Sequence, residues 1–162
     1  MAPSSICRPA AAAHRKSATG TGLAPFLSVI RDPEVYERFG RVILVHGVRK
    51  LVDLAYREFL TRQLPQDEFL GECVRNQLLY YPTITRDPFI NSGRLTEVIE
   101  SGKLCQDVGL PPMNPSEARV MICGGPRMLK DTSALLDRMG FQISPHTGVP
   151  GDYVIERAFA ER

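Results

Sequence analysis

Arg41-Val42-Ile43-Leu44-Val45-His46-Gly47 is an unbroken run of β-branched and aliphatic residues closed by glycine. A run of this length that is apolar at successive positions reads as a strand covered on both faces, the situation of a parallel sheet between helices. Working outward, Gln77-Leu78-Leu79-Tyr80-Tyr81-Pro82-Thr83-Ile84-Thr85 reads as a second strand, with Pro82 near a bulge or strand end. Arg119-Val120-Met121-Ile122-Cys123 is a third, and Tyr153-Val154-Ile155-Glu156-Arg157-Ala158-Phe159 a final one. Helical patterns lie between them. Residues 26–30 and 34–39 form two short helices parted by Asp32-Pro33. Residues 51–64 place Leu51, Leu54, Ala55, Phe59 and Leu60 on one face, and Pro65 stops that pattern. Residues 93–101 read as a short helix ended by Gly102, and residues 110–115 as a proline-rich connection. Residues 127–139 predict a helix with Leu129, Leu135, Leu136 and Met139 inward, closed by Gly140. Strands alternating with helices predict an α/β fold with a doubly wound, mostly parallel sheet.

In such sheets ligands bind beyond the carboxyl ends of the strands. The residues with chemical potential gather there. Thr19-Gly20-Thr21-Gly22-Leu23-Ala24-Pro25 is a glycine-rich turn running into a helical pattern. Its backbone N–H groups can approach a diphosphate closely, and the helix start adds partial positive charge. Arg49, Arg86 and Arg94 each follow a strand end or open the next element. Guanidinium groups grip phosphate bidentately and stay charged, so several converging there suit a 2′-phosphate. Cys123-Gly124-Gly125 lets a flat ring lie against the backbone, with a small thiol beside it. Each feature alone has a plainer reading: an ordinary turn, a solvated arginine, a tight strand-to-helix turn around a buried cysteine. The weight comes from their common edge.

Composition narrows the class. The chain has 162 residues, 43% hydrophobic and 23% charged, enough for one domain with a real core. A net charge of +2 is too weak for nucleic acid as the main partner, so any anion site is local. No apolar run approaches the roughly 18 residues needed to span a bilayer. Cys7, Cys73, Cys105 and Cys123 form no CxxC pair, and His14, His46 and His146 are scattered. That argues against a zinc site and for reduced thiols in the cytoplasm. No Ser-His-Asp set or carboxylate pair competes as an active site; a cofactor would carry the chemistry. The first 18 residues differ, being rich in Ala, Pro, Ser and basic residues. Such a composition can belong to an organelle transit peptide, but the plainer expectation is a disordered tail or a misassigned start, leaving residues 19–162 as the domain.

Taken together, TGTGLAPF, VHGVR, YYPTITRD, SGRL, VMICGGPRML and a terminal VIERAFAER, in that order, resemble the bacterial ferredoxin–NADP(+) reductases from Thr19 to Arg162. In that family a β-barrel domain binds FAD and an α/β domain binds NADP(H); the chain resembles only the second. The resemblance implies that Thr19, Gly20, Thr21 and Gly22 meet the pyrophosphate. It implies that Arg49, Arg86 and Arg94 hold the 2′-phosphate, and that Cys123, as the catalytic-site residue, lies with Gly124 and Gly125 near the nicotinamide. Ala158 and Phe159 would pack against the flavin. Ferredoxin or flavodoxin would be the electron partner.

Two departures set further expectations. The family's flavin-binding Arg-x-Tyr-Ser run does not occur, so FAD is not expected to bind this chain by itself. The strand that normally precedes the glycine loop is replaced by Ala10-Ala11-Ala12-Ala13-His14-Arg15-Lys16-Ser17-Ala18. The sheet is therefore expected to lack its first, central strand, as in a truncated or frame-disrupted sequence. A rival reading of the same features is a non-catalytic nucleotide-binding module or an inactive fragment.

Overall fold

The Arg41 run forms β2 (Arg41–Val48), and its residues divide cleanly between two faces. The computed structural model describes residues 7–13, 23–146 and 148–156. Val42 and Leu44 point to one side of the sheet, where they meet Phe26, Ile30, Leu60 and Val74. Ile43 and Val45 point to the other, against Val98, Leu104, Leu135 and Leu136. This is the period-2 alternation of a strand with helices on both faces.

Four further strands join it. β1 (Cys7–Ala13), β3 (Leu78–Ile84), β4 (Val120–Cys123) and β5 (Tyr153–Glu156) complete a five-stranded sheet in the order β3-β2-β1-β4-β5. Every pair is parallel. The doubly wound parallel sheet is as the alternation predicts.

The expectation of a missing central strand is corrected. β1 pairs with β2 along its whole length and with β4 through Ala10–Ala12, within the segment read as a tail. The reason is tertiary. Without a strand between them, β2 and β4 would each carry a row of unpaired N–H and C=O groups inside the sheet. A ladder needs backbone, not branched side chains, so an alanine-rich segment can fill the gap. Pro9, which has no N–H to donate, precedes the stretch shared with β4.

Helices cover the two faces. α1 (Ala24–Ile30), α2 (Pro33–Arg38) and α3 (Gly71–Gln77) lie on one, and α4 (Leu95–Glu100), α5 (Lys103–Asp107) and α6 (Pro126–Arg138) on the other. Local chemistry sets their ends. The Asp32 carboxylate accepts the Glu34 N–H at 3.0 Å and Pro33 opens α2, the usual start signals.

Residues 51–64 are not the single helix that their spacing suggests. The chain makes a 3₁₀ turn at Leu51–Asp53, takes a left-handed backbone at Tyr56 (φ 62°), and resumes as a π turn at Phe59–Gln63. The Leu51 N–H is held by the Asp87 carboxylate at 2.8 Å. That long-range tie fixes where the chain leaves β2, and the helix is interrupted to reach its packing position. Leu54 and Leu60 are buried and Ala55 and Phe59 half-buried, whereas Leu51, expected on the same face, is exposed.

Candidate functional site

The β2–β3 ladder does not stop at the strand ends. Thr85 N–H donates to Val48 O at 3.1 Å, and Arg86 N–H donates to Arg49 O at 2.9 Å. The Asp87–Leu51 bond adds a third tie one step further out. Arg49 and Arg86 therefore stand side by side, their backbones bonded to each other. Residues 85–93 then fold back on β3. Ile84 N–H donates to Asn91 O, Gly93 N–H donates to Ile84 O, and the Thr83 hydroxyl donates to Gly93 O. Gly93 sits at φ 121°, a backbone that side chains rarely adopt, and this turn returns Arg94 to the same edge. The Arg94 N–H is capped by Glu97 at 2.8 Å, which fixes the start of α4.

A cleft of about 430 Å³ opens between these loops and α6. Arg49, Arg86 and Arg94 line it from the β2–β3 side, and Gly125, Arg127 and Asp131 from the α6 side. Arg86 and Arg94 are exposed and Arg49 is half-buried. Among the described residues, none of these three guanidinium groups makes a hydrogen bond or ion pair to the protein. Several arginines elsewhere are engaged: Arg57 lies over the Phe89 ring, and Arg138 binds Glu100. Three cations with uncommitted donors at one mouth form a site for an anion with several oxygens.

The structure thus brings Arg49, Arg86, Arg94 and Gly125 together, as the sequence suggests. Gly124 is half-buried just behind. Cys123 does not line the cleft. Its side chain is fully buried in the cluster with Leu23, Phe26 and Leu44. Burial, reinforced by nearby Glu156, pushes its thiol ionisation up. Cys123, read from sequence as a catalytic-site residue, is placed by the structure in the core and not among the residues lining the cleft. Thr19, Gly20, Thr21, Gly22, Ala158 and Phe159 lie outside the described residues. Arg127 and Asp131 were not singled out from sequence, because charges four apart on a helix read as a solvated ion pair.

One strand inward, His46 is buried and its Nδ1 lies 3.0 Å from the Tyr80 hydroxyl across β2 and β3. The Tyr80 ionisation is pushed up to about 12, chiefly by burial. This pair ties neighbouring side chains of β2 and β3.

A parallel sheet ordered 3-2-1-4-5 reverses its winding between β1 and β4, and that crevice is where such folds bind nucleotides. The cleft straddles the reversal, with β2 and β3 loops on one side and α6 on the other. Fold and site together define a nucleotide-binding α/β domain. The chain belongs to the oxidoreductase NAD-binding domain family, whose profile matches residues 18–134. It is 59% identical over 144 residues to a ferredoxin–NADP reductase of Azotobacter vinelandii and 60% identical over 144 residues to one of Pseudomonas aeruginosa. Each alignment covers 89% of this chain and 56% of the relative, so the chain spans about half their length. A solved ferredoxin NADP+ reductase from Neisseria gonorrhoeae, with bound FAD and NADP, superposes with a TM-score of 0.76 at 28% identity. That match covers 97% of this chain and 58% of the other.

Proposed function

We propose that the chain is the NADP(H)-binding portion of a flavin-dependent ferredoxin- or flavodoxin-NADP(+) oxidoreductase. The observation that carries the reading is the group of three uncommitted arginines, Arg49, Arg86 and Arg94, at one mouth of the cleft. A 2′-phosphate is a compact dianion, and two or three guanidinium forks hold it while rejecting the neutral 2′-hydroxyl of NAD. Thr19, Gly20, Thr21 and Gly22 are assigned to the pyrophosphate. Cys123-Gly124-Gly125 is assigned to the nicotinamide end, with Gly125 on the cleft lining and Cys123 in the core behind it. When bound, NADP(H) would exchange a hydride with a flavin. The Arg-x-Tyr-Ser run of flavin-binding barrels is absent from this sequence, so the flavin belongs to another domain. Ala158 and Phe159 are assigned to the surface that meets it. Ferredoxin or flavodoxin is the proposed electron partner, and free Cys73, Cys105 and Cys123 are compatible with a cytoplasmic setting.

The test is a comparison of two small ligands by calorimetry on the purified chain. It should bind 2′,5′-ADP at least about tenfold more tightly than 5′-AMP, the scale of one lost charge-assisted contact. Equal affinity for the two would overturn the assignment of the three arginines.

A further inference from the structure

Arg127 stands where helix physics alone does not favour a cation. It follows Pro126 in the first turn of α6, a 13-residue helix with no acid in that turn and no side-chain cap at Gly125. The start of a helix carries partial positive charge and unpaired N–H groups, so an arginine there is repelled and an anion attracted. Its one ion pair does little to compensate. The Arg127 Nε lies 3.8 Å from Asp131 Oδ2, with side chains 70% and 51% exposed, and a basic residue preceding an acidic one is the weaker order along a helix. A locally unfavourable choice inside a ligand cleft marks a functional position. Arg127, Gly125 and Met128 line the same cleft as Arg49, Arg86 and Arg94, but from across the sheet's winding reversal. A single 2′-phosphate is already served by the three arginines on the far wall.

We propose that Arg127 is a second phosphate clamp, holding a phosphate on the 5′ side of the same nucleotide, with Asp131 as its counter-ion until the ligand replaces it. The proposal rests on the nucleotide-binding reading above. It makes the cleft two-sided: the β2–β3 wall reads the 2′ end, and the α6 wall grips the 5′ end. Asp131 is a competitor for that grip, so removing its charge should strengthen binding.

Three probes separate the two walls: 2′-AMP carries only the 2′-phosphate, 5′-AMP only the 5′-phosphate, and 2′,5′-ADP both. Arg127→Gln should weaken 2′,5′-ADP by about tenfold, the effect of one charge-assisted contact, and leave 2′-AMP unchanged. Arg94→Gln should weaken 2′-AMP and 2′,5′-ADP together. Asp131→Asn should tighten 2′,5′-ADP by about twofold to fivefold at low salt, and Arg127→Lys should restore part of the loss. The Arg127 side chain is largely exposed, so the thermal midpoint of each variant should match the parent. Two results overturn the proposal: Arg127→Gln weakening 2′-AMP as much as 2′,5′-ADP, or leaving both unchanged. Failure of the parent protein to prefer 2′,5′-ADP over 5′-AMP instead overturns the underlying nucleotide reading, and the proposal with it.

Discussion

The two ends of this sheet use arginine in opposite ways. At the amino end, Arg41 donates to Asn76 O at 2.9 Å, and Arg119 donates to Pro115 O and Ala118 O while pairing with Asp152 at 3.4 Å. A small cavity of about 100 Å³ remains there, lined largely by apolar residues such as Ile43, Leu104 and Leu110. At the carboxyl end, Arg49, Arg86 and Arg94 surround a cleft about four times larger, and their guanidinium groups stay uncommitted among the described residues. An arginine bonded to the protein's own carbonyls acts as a structural strap. One whose donors face an open cleft is available to an anion. Counting arginines in the sequence cannot tell these apart; following each donor can.

The largest perturbation should erase both ends at once. Ile122 is fully buried in β4, and Ile122→Ala should lower unfolding stability by about 2–5 kcal/mol, measured by urea titration. A change below about 0.5 kcal/mol would mean that the sheet is not the shared scaffold of the two ends. Next comes a paired substitution that sharpens the contrast. Arg86→Gln should weaken 2′,5′-ADP about 10- to 100-fold with little change in stability. Arg41→Gln should lower stability by about 0.5–1.5 kcal/mol and leave affinity alone. Similar behaviour of the two variants would dissolve the distinction.

A smaller effect tests how the carboxyl end is held. Asp87→Ala removes the acceptor for the Leu51 N–H without touching the cleft arginines, and should weaken 2′,5′-ADP by about threefold to tenfold. A separate, pH-driven effect is common to the whole sheet. Tyr80 and Tyr153 ionise only near pH 12 in the folded chain, mainly because of burial, against 10 for an exposed tyrosine. The folded state thus holds these protons more tightly than the unfolded one. Stability should be complete below pH 10 and decline as pH rises through 12, and Tyr80→Phe should flatten that alkaline limb.

Much of this fold was legible because β2, β3 and β4 carry branched and aliphatic runs, and because α6 keeps an inward stripe through Leu135 and Leu136. β1 was not, since an alanine-rich strand has no side-chain signature and exists only because two neighbours need a partner between them. The break at Tyr56 was hidden for a related reason: the tie from Asp87 to Leu51 spans 36 positions, and no local periodicity reports it. The site divides the same way. Arg49, Arg86 and Arg94 stood out by following strand ends, whereas Arg127 acquires meaning only when the opposite wall of the cleft is in view.

The bond from Arg86 N–H to Arg49 O has a consequence for engineering. Two loops from different parts of the chain share a main-chain contact at the two residues proposed to hold the 2′-phosphate, so they behave as a single part. An insertion or deletion in either would shift both arginines together. A change of cofactor preference is therefore best attempted by exchanging side chains at positions 49, 86 and 94 with both loop lengths held fixed. A loop transplanted from another protein would need its companion loop to come with it.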